Sequence, residues 1–191
     1  MSVDDPIAQF STLYQQAARV LAEPDAMVLS TVDPDGRPSA RYVLLKGVDV
    51  RGFVFYTNLE SRKARALEAH PHAALTFYWP PATQVRIEGG VERVSDAEAD
   101  AYFATRPRGS QIGAWASLQS APLASRAVLD QRTVEIEGRF KDTAVTRPPF
   151  WSGYRVVARS IEFWTRDPVR LHERVMFERA GGAWTRSLLF P

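Results

Sequence analysis

Three stretches of this chain gather cations beside hydroxyl, amide and aromatic groups, the combination that holds an anion and orients a flat ring. In the first, RYVLLK runs from Arg41 to Lys46 and is followed by Tyr56, Thr57, Ser61, Arg62 and Lys63. Arg62 and Lys63 open a predicted helix, where free N–H groups and the helix dipole already favour negative charge. Two cations there oppose the dipole unless an anion joins them, so phosphate is the simplest occupant; a solvated surface pair is the plainer alternative. In the second stretch Tyr102 and Arg106 stand four apart at a helix end and share a face, with Ser110 close behind. Arg can grip phosphate by two parallel bonds while Tyr and Ser donate one each. An arginine lying over a surface tyrosine would look the same. The third stretch is RLHER, 170 to 174. Read as a strand, it puts Arg170, His172 and Arg174 on one face, and the preceding Phe163–Trp164 pair suits a flat ligand.

The second stretch runs on as RPRGSQIGAWASLQS, residues 106 to 120, which reads as neither helix nor strand. Gly109 and Gly113 permit backbone conformations closed to other residues, and Ser110, Gln111, Ser117, Gln119 and Ser120 carry hydrogen-bonding groups on short arms. That chemistry fits an anion held closely.

Composition narrows the field. With no cysteine there are no disulfides, thiolate nucleophiles or cysteine metal sites. Three histidines, of which His70 and His72 flank a proline at a helix end, predict no metal site. The net charge of +2 is spread among acids, so nucleic acid is not indicated. No stretch approaches the roughly 20 apolar residues of a membrane span, and the acidic start MSVDDPIAQF lacks a leader's pattern, so a cytoplasmic protein without membrane contact is expected. Catalysis, if any, must draw on other side chains or a cofactor.

The elements that position these residues follow from periodicity. Ile7, Phe10, Leu13, Tyr14, Ala17 and Leu21 recur at helical spacing. Strands are predicted at 26–32, 39–47, 53–57, 73–79, 84–94, 154–164, 172–180 and 183–190, with a bulge or bend at the Gly89–Gly90 pair. Helices are predicted at 61–70, from the capping box SDAE through Phe103, and from about Leu123 to Phe140. Many strands with short turns and inserted helices argue for an antiparallel barrel with helical additions, mainly β with helices, against a doubly wound sheet. Strict alternation puts Arg41 and Lys46 on opposite faces of one strand, so both reach one ligand only if a bulge or strand end re-aims one of them.

Taken in order, RYVLLK, FYTN, SRKA, QVRIEG, YFATRPRGSQIGAWASLQS, FWSGYRV, IEFW and RLHER resemble the FMN-dependent pyridoxine (pyridoxamine) 5′-phosphate oxidases, from about Asp5 to the C-terminus. The resemblance implies one domain over 1–191, an FMN-binding split β-barrel of antiparallel Greek-key type that forms a homodimer with two FMN molecules at the subunit interface. It implies FMN contacts from Arg41, Tyr42, Val43, Leu44, Leu45 and Lys46, from Tyr56, Thr57, Arg62 and Lys63, and from Gln84, Gln119, Ser120, Trp164 and Arg174. Lys46, Tyr102, Arg106 and Ser110 would hold the substrate phosphate, and Arg170 and His172 would be the catalytic pair holding the pyridine ring against the flavin. The implied reaction turns pyridoxine 5′-phosphate and pyridoxamine 5′-phosphate into pyridoxal 5′-phosphate, with hydride transfer to FMN and reoxidation by O2 to give H2O2. Tyr42 stands where the family more often has methionine. Two rivals stay open: a split-barrel flavin oxidase acting on another ring, such as a phenazine precursor, and a non-enzymatic flavin or pyridoxal phosphate binding protein. The four phosphate-site residues weigh against the first, and Arg170 with His172 against the second.

Overall fold

Alternation along the strands sets the frame. In β1 (Ala26–Val32) the buried side chains are Met27, Leu29 and Thr31, every second residue, so one face meets a core. The same period runs through β5 (His72–Trp79), with Ala73, Leu75, Phe77 and Trp79 inward, and through β6 (Thr83–Arg93), with Val85 and Ile87 inward. The computed structural model describes residues 5–80 and 82–191; Met1–Asp4, part of the acidic start, lie outside the described residues.

The chain runs α1 (Pro6–Ala18), β1, β2 (Pro38–Leu44), β3 (Gly47–Asp49), β4 (Gly52–Asn58), α2 (Arg62–Ala69), β5, β6, α3 (Asp96–Thr105), α4 (Arg108–Ala116), α5 (Arg126–Arg139), β7 (Trp151–Thr165), β8 (Glu173–Ala180) and β9 (Ala183–Leu188). All strand pairs are antiparallel, in the order β2-β1-β5-β6-β7-β4-β3. The long β7 divides the sheet: Trp151–Val156 pairs β4, whereas Ser160–Thr165 pairs β8, which in turn pairs β9. The result is a split β-barrel with five helices among the described residues. Its core takes Leu29, Phe77, Ile87, Ile161, Phe163 and Phe177 from the strands, and α1 inserts the fully buried Phe10 against Phe53 and Phe77, ring centres 4.9 and 5.2 Å away.

The glycine pair does mark a bulge. Register shifts between Glu88 and Gly89, and a Cβ on Gly89 would lie 2.0 Å from the Val157 carbonyl oxygen, so only glycine lets the two strands approach. Ser95 caps α3 as the SDAE motif requires, its Oγ accepting from the Glu98 N–H at 3.2 Å.

Four expectations change. Residues 106–120 are not irregular: Arg108–Ala116 form α4, because Ile112 and Ala116, four apart, are buried and packing outweighs the two glycines. Neither Gly109 nor Gly113 has a positive φ, and a Cβ on either would meet nothing. Helix α5 begins at Arg126 rather than 123. The strand expected over 39–47 ends at Leu44, and Gly47–Asp49 form a separate short strand on β4. Arg170 and His172 are not on a strand; they belong to the turn before β8, and Arg170 has φ +68.

Candidate functional site

The end of β2, the middle of β4, α3 and α4 enclose an open cleft of about 510 Å³, ordinary for a small-molecule site. Its wall includes Tyr42, Val43 and Leu44 from β2, Lys46 beyond it, Tyr56 and Thr57 from β4, and Lys63 from α2. The other side is built by Tyr102, Arg106, Ser110, Gln119 and Trp151. Because β2 stops at Leu44, alternation does not reach Lys46, which lines the cleft while Arg41 does not.

Aromatic packing fixes the floor. Tyr56, Tyr102 and Trp151 lie with their rings within 10° of parallel, Tyr56 centred 4.0 Å from Tyr102 and 5.3 Å from Trp151, and these two 6.2 Å apart. Gly153 pairs directly with Tyr56 across β4 and β7, and a Cβ there would sit 2.7 Å from the Tyr56 ring, so glycine at 153 makes room for the stack. Burial, with Glu98 and Tyr102 nearby, pushes the Tyr56 hydroxyl up to about 12 and keeps it protonated as a donor. Arg106 ends α3, and its guanidinium lies 4.7 Å over the Trp151 ring. Its Nη1 is buried with no hydrogen-bond partner among the described residues, and burial lowers its pKa.

A second cation faces the same cleft. Lys63 is 8% exposed, and its ammonium donates to Thr57 Oγ1 at 3.1 Å and Ser61 Oγ at 3.3 Å, with no carboxylate partner among the described residues. Burial first, then the Arg41 charge, pull its pKa down to about 8. Lys46 is instead paired with Asp25 at 2.6 Å. A buried cation left without a counter-charge is costly, so Lys63 and Arg106 mark two places where an anion would be welcome.

The helix start is less open than the sequence suggests. Arg62 pairs with Asp33, which raises the arginine's pKa, while its backbone N–H donates to Ser120 Oγ at 3.2 Å and the Ala64 N–H to Ser61 Oγ. Side-chain charge rather than bare helix N–H groups therefore dominates this corner. Arg41 does not line the cleft; it donates to Leu29 O, Thr31 Oγ1 and Ser39 Oγ at 3.0, 2.8 and 2.6 Å. The end of the 106–120 segment docks on β4 through Gln119 Oε1, which accepts from Thr57 Oγ1 at 3.1 Å and the Asn58 N–H at 3.3 Å. Leu45 is buried in the core rather than in the cleft wall.

The remaining predicted residues assemble elsewhere. Gln84, Trp164 and Arg174 are direct cross-strand neighbours on β6, β7 and β8 and so share one face. Trp164 packs against His172 with ring centres 4.6 Å apart and planes tilted by 46°, close in sequence to Arg170 in the turn. None of these five lines the cleft. Arg174 is held by the buried Glu162 at 2.6 Å and by the Phe190 carbonyl at 3.0 Å. A single chain thus carries these residues in two separate clusters. Sequence reading missed Trp151, although FWSG was in view, and missed Asp33, Glu162 and Asp167, acids whose partners lie far away or in an unrecognised turn.

Fold and site together define a split-barrel protein with a cation-lined, aromatic-floored cleft. The description "Pyridoxamine 5'-phosphate oxidase" matches residues 13–140, and "Pyridoxine 5'-phosphate oxidase C-terminal dimerisation region" matches residues 151–191. The chain is 58% identical over 189 residues to a pyridoxine/pyridoxamine 5'-phosphate oxidase of Myxococcus xanthus strain DK1622, covering 98% of this chain and 92% of the relative. A Rubrobacter xylanophilus protein of the same name is 57% identical, covering 98% and 87%. Among solved structures, PhzG from Burkholderia lata 383, in complex with tetrahydrophenazine-1-carboxylic acid, superposes with a TM-score of 0.92 at 33% identity, covering 100% of this chain and 94% of that one. A related FMN binding protein of Nostoc punctiforme shares the fold at a TM-score of 0.78 and 17% identity over the whole of both chains. The chain belongs to the pyridoxamine 5'-phosphate oxidase family.

Among the described residues no helix is long and apolar enough to cross a membrane, and no group of His, Asp and Glu has the arrangement of a metal site.

Proposed function

We propose that this chain is an FMN-dependent oxidase that converts pyridoxine 5'-phosphate and pyridoxamine 5'-phosphate to pyridoxal 5'-phosphate, with O2 as acceptor and H2O2 as product. The observation that carries the reading is the pair of cations, Lys63 and Arg106, without a carboxylate partner among the described residues, on one cleft with an aromatic floor. Two anion positions suit two phosphates, one on the cofactor and one on the substrate. Lys63, with Arg41, Arg62, Gln119 and Ser120 around it, would hold FMN at the first; Arg106, with Lys46, Tyr102 and Ser110, would hold the substrate at the second.

FMN, when bound, supplies a two-electron acceptor that O2 regenerates. The protein's part is placement. Phosphate held remotely by Arg106 supplies binding energy that orients the reacting C4′ carbon. His172 Nδ1 accepts from the Asp167 N–H at 3.1 Å, so the neutral ring carries its proton on Nε2 and donates from there. Arg170 would steer the pyridine ring and stabilise charge that develops on it. The alcohol loses two electrons and two protons, which leave with O2 as H2O2; the amine also takes up water and releases ammonia.

Because Gln84, Trp164, Arg170, His172 and Arg174 stand apart from the cleft, the reading requires a homodimer in which the cleft of one protomer is completed by this face of its partner, in keeping with the dimerisation region matched over 151–191. The likeness to PhzG favours a second reading, a ring substrate bearing a carboxylate instead of a phosphate. Oxygen consumption by FMN-loaded protein decides between them, with pyridoxine phosphate, pyridoxamine phosphate, unphosphorylated pyridoxine and a dihydrophenazine carboxylic acid as alternatives. Turnover of the phosphorylated pair with formation of pyridoxal phosphate is expected. Bound flavin with no turnover of either would overturn the proposal.

A further inference from the structure

The segment between β7 and β8, residues 166–172, is organised by the side chain and backbone of one residue that none of the sequence motifs singled out. Asp167 Oδ1 accepts from the Val169 N–H at 2.8 Å and from the Leu171 N–H at 3.2 Å. Its carbonyl oxygen accepts from the Arg170 N–H at 3.2 Å, and its own N–H donates to His172 Nδ1 at 3.1 Å. Four hydrogen bonds from a single residue thus close a turn around Arg170 and His172.

The chemistry of the sequence explains the shape. Asp before Pro is biased toward extended backbone, and because Pro168 has no N–H, the first donor its carboxylate can meet is that of Val169, an Asx turn. The turn leaves Arg170 with φ +68, one of two non-glycine residues with positive φ among those described; Ser120, at the end of the 106–120 segment, is the second. An arginine holds that conformation only where its surroundings impose it. The N–H to Nδ1 bond meanwhile fixes which ring nitrogen of His172 is free, since a backbone N–H can only donate.

We propose that Asp167 is a positioning residue: it holds Arg170 in its left-handed conformation and sets the tautomer and orientation of His172, so that both face the pyridine ring. The inference rests on the oxidase reading for its consequence in turnover, but not for its effect on the turn.

Asp167→Ala removes the acceptor for two N–H groups in an exposed turn far from the core, and Asp167→Asn keeps an oxygen there. Nitrogen-15 spectra of the FMN-loaded proteins read the imidazole of His172 directly, one of three histidines in the chain. Wild type and D167N should show a single tautomer with Nδ1 unprotonated and hydrogen-bonded, and D167A a mixture of tautomers. In kinetics D167A should lose on the order of 10- to 100-fold in kcat, the scale of a misplaced reacting group, with the KM for pyridoxine phosphate changed much less, because the phosphate anchors are elsewhere. D167N should stay within about threefold of wild type, since the hydrogen bonds survive without the charge. Wild-type His172 signals and kcat in D167A would overturn the proposal. Should wild type turn over no phosphorylated substrate, the oxidase reading falls, and the His172 spectra alone decide the role of Asp167.

Discussion

Raising the pH through 8 should loosen FMN from this protein, because Lys63 loses its proton there. Burial and the neighbouring Arg41 hold its pKa at about 8, well below the ordinary 10.5 of a lysine. A phosphate beside the ammonium favours the charged form, so the complex keeps a proton that the free protein sheds. The affinity loss approaches tenfold per pH unit above the pKa, and since Lys63 is half protonated at pH 8 it amounts to about 16-fold between pH 8 and about 9.5, or ~1.6 kcal/mol. The same residue acts in the opposite sense on the apoprotein. Between about 8 and 10.5 the unfolded chain binds the extra proton, so Lys63 makes folding stability rise with pH, and below 8 its full cost is present. Lys63→Met keeps the aliphatic stem and removes the charge. Its apoprotein should melt higher than wild type at pH 7, while its FMN affinity drops roughly 10- to 100-fold for one lost charge-assisted bond of about 1.5–3 kcal/mol. Thermal melts of the two apoproteins measure the first, and quenching of flavin fluorescence on titration, at fixed ionic strength and several pH values, measures the second. A flat wild-type affinity across this range, or a slope that survives in K63M, would refute the argument.

Arg106→Ala should raise KM for the phosphorylated substrates about 10- to 100-fold with kcat little changed, measured by steady-state oxygen uptake, since it removes a charge-assisted grip on the remote phosphate. Gly153→Ala should drive a methyl into the Tyr56 ring and disturb the Tyr102–Tyr56–Trp151 stack; thermal melts should show a loss of about 1–3 kcal/mol, and substrate KM should rise with it. Mixing K63M and Arg170→Ala chains and letting protomers exchange should restore roughly a quarter of wild-type sites, because a two-fold dimer of one chain of each kind has one site built from two intact halves. If each chain instead carried a complete site, mixing would restore nothing.

How much of this could be read without the fold differs from residue to residue. Tyr102 and Arg106 were legible because four-residue spacing at a helix end is a local fact, and the cleft does contain both. The bulge at Gly89, the cap at Ser95 and the alternating strands were legible for the same reason: each depends on neighbours within a few residues. Helix α4 was not, since its two glycines and its serine disfavour a helix and the burial of Ile112 and Ala116 outweighs them. Nor was the turn at 166–172, where the strand period of RLHER is broken by an aspartate four residues or more away in hydrogen-bond terms.

By itself the sequence determined which groups were available: cations, hydroxyls and aromatic rings in a fixed order, no thiols, and strands enough for an antiparallel barrel. Tertiary structure alone decided which cations were already neutralised. Arg62 meets Asp33 and Lys46 meets Asp25, partners 29 and 21 residues away, whereas Lys63 and Arg106 meet no carboxylate among the described residues. Charge pairing depends on distance in space, which falls off over a few ångströms and which chain order does not encode. The same holds for the separation of the cleft from the Gln84–Trp164–Arg174 face, because the split along β7 sends its two ends to different neighbours.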